Sequence, residues 1–536
     1  MELSIAGLPE IAQAGAGIAL PEFDVEQMQR AGREVPRWIH FGAGNLFRIF
    51  LARIAHDLVA GGHMWPVAAV QTTSPDGLDK QIGAHDLMTL GVILNPDGSR
   101  DLSVIAGVSE GLATDREADY QRLREIAVAP SVSLVTFTIT EKGYVIADSH
   151  GELTSAVRDA IAAGPKAVQT HTMAMVAALL FDRFEAGGAP ITLISTDNFS
   201  HNGDKLRDSV LTIARGWVEA GLASEDYLHW LEDDTKVAFP ISVIDKITPR
   251  PNEQVATELA QLGFTDMALD TTSRTPLAGF VNAEPTEYLI IEDKFAGERP
   301  PLEDAGVNIV ERQVCDDFEN MKVTTCLNPL HTALAVSGCL LRFPTIDSEM
   351  RDPALAALVN ELGWKEGLPV VVDPGIVAPE DFLREVLEVR FPNRYLPDDP
   401  ARIAMDTSQK VPIRYGETIK KYVARGKDLS ELHAMPLVFA IWCRYLMGVA
   451  DDGEPFTPSS DPLLEELQPL VAGLPLDGSA TSEQIHEALA PILSNTEIFR
   501  TDLYTTPLGE KAEEFFAQLI AAPGAVRATL DKEYTK

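Results

Sequence analysis

The sequence predicts two architectures in tandem: an α/β domain with a doubly wound, largely parallel sheet over residues 1–311, and a mostly α-helical C-terminal domain over residues 312–536. Three observations predict it. A short apolar run meets a Gly-Ala-Gly turn and then a helical pattern. Further apolar runs alternate with helical stretches. After about residue 320 helical spacing dominates and strand-like alternation becomes scarce. The first strand candidate, 38–41, enters Gly42-Ala43-Gly44 and the helical stretch NLFRIFLARIAHDLV. A second buried strand, PVAAVQTT at 66–73, completes β–glycine turn–α–β, the opening of a Rossmann-like nucleotide-binding fold. Strands are then expected at 102–107, 131–140, 191–195 and 238–244, with helices such as 155–163 and 171–185 between them. That alternation implies a parallel sheet. In the second half, HTALAVSGCLL, PEDFLREVLEVRF, LHAMPLVFAIWCRYLM and EKAEEFFAQLI repeat apolar residues at helical intervals. Acidic stretches with Pro and Gly at 293–304 and 451–461 read as surface connections.

Composition narrows the function. The 44 Lys+Arg against 80 Asp+Glu give a formal net charge of −36. Such a chain is a poor nucleic-acid binder, because neutralising phosphates needs a basic face. An anionic small substrate is compatible with it where local Lys and Arg overcome the general field. Four cysteines, none in a CxxC pair, give neither a disulfide framework nor a zinc ribbon. The start, MELSIAGLPEIAQAGAGIALPEF, lacks the basic lead of a signal peptide. Apolar runs such as 173–181 fall short of the ~18 residues that span a bilayer. The expectation is a cytoplasmic protein without a membrane or nucleic-acid partner.

Two stretches carry candidate chemistry. In HFGAGNLFRIF, glycines stand where a cofactor pyrophosphate would touch backbone at a helix start. Ile39, His40, Phe41, Gly42, Ala43, Gly44, Asn45, Leu46, Phe47 and Arg48 are therefore the candidate cofactor-binding residues. Phe47 replaces the third glycine of GxGxxG, and a plain strand-to-helix turn is the competing reading. The second strand ends Gln71-Thr72-Thr73-Ser74, with no carboxylate before Asp76 to grip an adenosine ribose, which leaves NAD and NADP both open. In ENMKVTTCLNPLHTALAV, at 319–336, a lysine, an asparagine and a histidine precede an apolar helix. A neutral lysine can take a proton from an alcohol, and an amide can donate to the developing oxyanion. Ordinary readings compete: Asn328 and Pro329 as N-cap and N1, His331 as a satisfied helix residue, Lys322 as a solvated one. There is no YxxxK pair, no HExxH and no metal-ligand spacing among the eleven histidines, so no metal site is expected.

Seven motifs in order resemble the long-chain polyol-specific dehydrogenases, the mannitol dehydrogenase family, from about residue 36 to about residue 450. They are HFGAGNLFR, FTITEKGY (137–144), STDNFSHNG (195–203), IDKITP (244–249), AEPTEYLIIEDKF with RPPLEDAGV (283–307), RFPNRYLPDDPARIAMDTSQK (390–410) and WCRYL (442–446). The resemblance implies a metal-independent, two-domain oxidoreductase with its active site between the domains. It would move a hydride between a nicotinamide cofactor and a linear sugar acid or polyol. By position, Lys322 would be the general acid/base, Asn198 and Asn328 would polarise the substrate oxygen, and His331 would hold a substrate hydroxyl or orient the lysine. Asp245, Arg402 and Lys410 would line the substrate site, and Glu319 would help relay the proton. Arg402 and Lys410 would also suit a substrate carboxylate. The form of the cofactor turn favours D-mannonate/D-fructuronate, with D-altronate/D-tagaturonate and mannitol/fructose as alternatives; family habit favours NAD and a monomer.

The chain departs from the family pattern at three points. Lys322 and Asn328 are six residues apart where five is usual. On an unbroken helix one extra residue turns the pair by ~100°, whereas a helix starting at Asn328 leaves Lys322 on the preceding turn. Asn45-Leu46-Phe47 and Lys294 differ from many relatives and bear on subfamily. A nucleotide-binding sensor without catalysis is the competing class of function, and the extra residue is its support.

Overall fold

The computed structural model describes residues 1–536 apart from Ala16, Ser149, Arg274 and Lys536. The chain divides into two compact units, Met1–Cys315 and Asp316–Lys536.

Twelve strands are found among the described residues, all in the first unit: β1 Trp38–Phe41, β2 Val67–Gln71, β3 Thr89–Leu94, β4 Arg100–Ile105, β5 Val108–Ala113, β6 Leu134–Phe137, β7 Ile191–Ser195, β8 Val237–Ala238, β9 Ser242–Asp245, β10 Phe280–Ala283, β11 Tyr288–Glu292 and β12 Asn308–Val310. The main sheet runs β5-β2-β1-β6-β7-β8 and every pairing in it is parallel. Counted within that sheet the order is 3-2-1-4-5-6, the dinucleotide-binding topology, whose direction reverses beside β1. Successive strand residues face opposite sides. Ile39, Phe41, Ala68, Val70, Val135 and Phe137 pack with Tyr120, Leu123, Met173, Leu180 and Leu206. Trp38, Val67, Ala69 and Leu134 pack on the other side with Phe47, Phe50, Ile54 and Leu58.

Two small sheets differ from the sequence expectation. The 102–107 candidate is β4, which pairs antiparallel with β3 in the sheet β10-β3-β4, not with the parallel strands. Asn95-Pro96-Asp97-Gly98 turns that hairpin: Gly98 has φ +92 and the Asp97 carboxylate accepts the Ser99 N–H at 2.8 Å. The 238–244 candidate is broken at Pro240, which has no N–H to give a ladder. Its halves are β8, at the edge of the main sheet, and β9, which pairs antiparallel with β11.

The second unit is built from helices. Every residue of the Ala434–Leu446 helix is buried, as an apolar run without a polar face requires. It packs against the Asn328–Leu341 and Pro507–Leu519 helices. Among the described residues four wide, π-type turns interrupt the helices here: Lys322–Cys326, Glu361–Gly367, Val386–Arg390 and Pro412–Gly416. A fifth, Phe47–Leu51, follows the glycine turn of the first unit. Each closes i→i+5 bonds and so carries an extra residue. Among the described residues, no helix is long and apolar enough to cross a membrane.

Candidate active site

The glycine turn leaves β1 at the point where the sheet order reverses. Gly42 has φ +104, and a Cβ there would lie 2.2 Å from the Thr138 carbonyl oxygen, so only glycine fits. At Gly44 a Cβ would meet nothing within 4 Å: that side of the turn is open. The helix begins at Asn45, which leaves its first N–H groups without intrahelical acceptors. Open space at a glycine beside such donors fits a dinucleotide pyrophosphate.

Several predicted cofactor-turn residues build the turn through their side chains. The Trp38 indole N–H donates to Thr136 Oγ1 at 2.7 Å. Gly42 O, which can only accept, faces His40 Nε2 at 3.1 Å, beside Thr138 Oγ1 at 2.9 Å; this assigns the hydrogen of neutral His40 to Nε2 and leaves Nδ1 to accept from the Thr136 hydroxyl at 2.6 Å. Burial pushes the His40 pKa down to about 3, against the bond to Gly42. Phe47 stacks on His40 with centroids 4.2 Å apart, which accounts for an aromatic in place of the third glycine. Arg48 is fully buried and donates to Asn45 Oδ1 at 2.9 Å and Ala278 O at 3.0 Å; burial lowers its pKa to about 9. The Ala43 N–H donates to Gln71 Oε1 at 3.1 Å, which ties the turn to the end of β2.

Asn198 is exposed in the loop after β7. Its neighbour Asp197 is buried and fixes the loop, accepting the Ile139 and Thr140 N–H groups at 3.0 and 2.9 Å and the Tyr144 hydroxyl at 2.7 Å. Burial raises the Asp197 pKa in spite of those bonds. Thr140, with φ +63, is held in a strained conformation by the same contact. Asn202 clamps Ser242 in both directions, at 3.0 and 2.9 Å, and a Cβ at Gly203 would lie 2.2 Å from Pro240 O. The STDNFSHNG motif is thus mostly scaffold around Asn198. Asp245 ends β9 and is 6% exposed. The neighbouring Ile247 N–H is held by the Glu284 carboxylate at 2.6 Å, and Lys246 by Glu287 at 2.9 Å.

In the second unit Lys322 opens a wide turn and is only 3% exposed, which removes the solvated reading. The Leu327 N–H reaches Lys322 O at 3.1 Å. Asn328 is the first helical residue and Leu327 the N-cap, so the expected capping role of Asn328 falls one residue early. The extra residue between Lys322 and Asn328 therefore lies in a wide turn and a break, not in an unbroken helix. Glu319 sits one turn before Lys322, half-buried in the Arg312–Met321 helix.

His331 Nε2 lies 3.2 Å from Asp398 Oδ2, and Asp398 is bonded in turn by Arg402, whose Nε is 3.1 Å away. Burial lowers the His331 pKa, with Asp398 opposing. Asp398 is lowered because the bonds from His331 and Arg402 outweigh its burial. Lys410 donates to Ile403 O at 2.9 Å and to Met405 O, and its pKa falls to about 8 through burial and the charge of Arg414. The structure thus groups Asn328, His331 and Arg402 around one helix start, while Lys410 ties down the 403–405 backbone.

Sequence reasoning missed the strut that supports this segment. Thr418 donates to Thr324 O at 2.9 Å, Lys421 to Thr324 Oγ1 at 3.2 Å, Tyr415 to Pro329 O at 2.6 Å, and Arg414 to Asn328 O at 3.3 Å. The signal was a basic, aromatic stretch, PIRYGETIKKY, starting two residues after Lys410. Among the described residues, no group of three or more His, Cys, Asp or Glu is placed to hold a metal ion.

A strand order of this kind with a glycine turn at its reversal, joined to a separate helical unit, describes a dehydrogenase with a Rossmann-type nucleotide domain. Two family models match: the mannitol dehydrogenase Rossmann domain over residues 36–304 and the mannitol dehydrogenase C-terminal domain over residues 315–516. The chain belongs to the mannitol dehydrogenase family and is an oxidoreductase of that family. It is 47% identical over 522 residues to D-mannonate oxidoreductase of Thermotoga maritima, covering 96% of each chain. It is 28% identical to the polyol:NADP oxidoreductase of Gluconobacter oxydans, over 85% of this chain and 88% of that one. Among solved structures it is similar to the ternary complex of Pseudomonas fluorescens mannitol 2-dehydrogenase with NAD and D-mannitol. That match has a TM-score of 0.70 and 25% identity over 99% of both chains.

Proposed function

We propose that the protein is a NAD-dependent D-mannonate oxidoreductase, interconverting D-mannonate and D-fructuronate. The observation that carries this reading is the 47% identity to D-mannonate oxidoreductase across 96% of both chains. NAD is chosen over NADP because the structurally similar mannitol 2-dehydrogenase of Pseudomonas fluorescens is bound to NAD. In this reading residues 1–311 hold the cofactor, with Ile39–Arg48 as its turn, and residues 312–536 supply the acid/base group.

When bound, the nicotinamide accepts or supplies the hydride at the carbinol carbon. In oxidation neutral Lys322 removes the hydroxyl proton; in reduction its ammonium returns it. Asn198 and Asn328 donate to the reacting oxygen, and losing one such donor costs ~3 kcal/mol of barrier, on the order of a hundredfold in rate. His331 holds a substrate hydroxyl, Glu319 passes the proton outward, and Asp245, Arg402 and Lys410 complete the substrate contacts. A cytoplasmic monomer without a metal requirement completes the reading.

The test is loss of NADH or NADPH absorbance with D-fructuronate, D-tagaturonate and D-fructose at matched concentration. Turnover of D-fructuronate with NADH is expected. Activity on fructose alone would make the protein a mannitol dehydrogenase, and D-tagaturonate alone would make it an altronate oxidoreductase. Silence on all three would favour the sensor.

A further inference from the structure

Arg414 is a half-buried guanidinium in the wide turn Pro412–Gly416. Its NH1 donates to Asn328 O at 3.3 Å and to Thr332 Oγ1. Those two acceptors flank His331 on the same helix start, and the charge of Arg414 is felt by both His331 and Lys410. Among the described residues no carboxylate pairs with it, and its Nε and NH2 have no hydrogen-bond partner. The buried Arg183 makes the contrast: its Nε, NH1 and NH2 are all bonded to carbonyls, at 2.6 to 3.0 Å. Arg402 is already paired with the Asp398 carboxylate and Lys410 holds two carbonyls, so they are assigned to substrate hydroxyls and not to its carboxylate.

We propose that Arg414 binds the carboxylate of the sugar-acid substrate and so sets the preference for a hexuronate over a neutral ketose. A guanidinium with Nε and NH2 unpaired presents two adjacent N–H donors, the fork that meets a carboxylate in bidentate fashion. A neutral hydroxymethyl group in the same place leaves both donors and the charge unanswered, which is how a polar site rejects an analogue. Burial lowers the Arg414 pKa to about 10; the group stays charged at neutral pH, and its desolvated charge favours an incoming anion.

The inference rests on the hexuronate reading and is tested with it. Steady-state reduction of D-fructuronate and of D-fructose would be measured for wild type, Arg414→Gln and Arg414→Lys, each checked by thermal unfolding. Losing a bidentate, charge-assisted contact, Arg414→Gln should raise KM for fructuronate about 100-fold, about 2.8 kcal/mol. Loss of the bonds to Asn328 and Thr332 lowers kcat on both substrates alike, so the diagnostic effect is the rise in KM for fructuronate with no matching rise for fructose. Arg414→Lys keeps the charge and loses the fork, and should raise that KM about tenfold. Were Arg414→Gln unable to fold, an unmoved KM in Arg414→Lys would by itself overturn the assignment. Equal rises in KM on both substrates, or a fall confined to kcat, would also overturn it and reduce Arg414 to a support for Asn328. A wild type that reduces fructuronate while both variants match it overturns Arg414 alone. A wild type that reduces no uronate overturns the functional reading and Arg414 together.

Discussion

Gly42 and Gly44 stand two residues apart in one turn, yet the structure gives them opposite sensitivities. At Gly42 a methyl group would sit 2.2 Å from a backbone oxygen where ordinary contact begins at 3.4 Å, and φ is +104. A left-handed conformation costs an L-residue about 1–2 kcal/mol, and forcing extra volume into packed structure costs about 1–3 kcal/mol more. Gly42→Ala should therefore destabilise the protein by about 2–5 kcal/mol. At Gly44 the methyl meets no protein atom within 4 Å, and a Gly→Ala change at a compatible position is neutral or stabilising by about 0.4–1 kcal/mol. What it meets is the cofactor, if the pyrophosphate lies on the turn. Gly44→Ala should then weaken NADH by at least about tenfold, 1.4 kcal/mol, with no loss of stability. Denaturant unfolding and quenching of protein fluorescence by NADH read the two effects separately. Wild-type NADH affinity in Gly44→Ala would refute the placement of the pyrophosphate, and wild-type stability in Gly42→Ala would refute the Thr138 contact.

Lys322→Ala should abolish turnover at neutral pH while NADH binding stays within about threefold of wild type; retained activity would remove the lysine from the mechanism. Asp398→Asn removes the carboxylate that holds His331 Nε2 and should lower kcat/KM about tenfold. It should also move any His331-dependent limb of the pH profile to lower pH, since Asp398 raises that imidazole's proton affinity; an unmoved limb would count against the His331–Asp398 contact. His40, with its pKa depressed to about 3, binds its proton in the unfolded chain first, below about pH 6.5. Stability present above that pH should fall as the pH drops toward 3, by up to about 1.4 kcal/mol per pH unit from this group. His56, lowered to about 4 by burial and by Arg53, adds in the same direction. A His40→Gln variant that unfolds with an unchanged slope would show that the acid sensitivity lies elsewhere.

The central parallel strands were legible because they are buried on both faces and read as continuous apolar runs, as in Trp38–Phe41 and Ile191–Ser195. Strand β5 was not, since VSEGLA carries a glutamate and a glycine and looks like a loop. The β3–β4 hairpin is marked only by Pro96-Asp97-Gly98, a turn signal between two runs that lack clear strand alternation. At the site, residue types and spacing pointed to Lys322 and His331, but not to their surroundings. Lys322 sits in a turn held by Thr418 and Lys421, side chains 94 and 97 positions away from Thr324, and no local pattern announces that. Arg414 was hidden in the same way, since its role follows from Asn328 and Thr332, 86 and 82 positions away.

The wide turns change how distance along the chain should be counted in this protein. A helix fixes the direction of each side chain by its number, so an inserted residue normally swings everything after it by ~100°. An i→i+5 turn takes up one residue locally and lets the following helix resume its original phase. The turn at Lys322–Cys326 is such a joint, and a gap of six residues between Lys322 and Asn328 can stand in for a gap of five without disturbing the packed helix beyond. Deleting Thr325 would be the smaller edit on paper than replacing the whole turn. By the same count it would trade the joint for regular helix with a gap of five and leave the lysine on the side it already occupies. Spacing in a motif of this kind is therefore a property of the joint it crosses, and chains of one family can differ in it while the helix beyond keeps its packing.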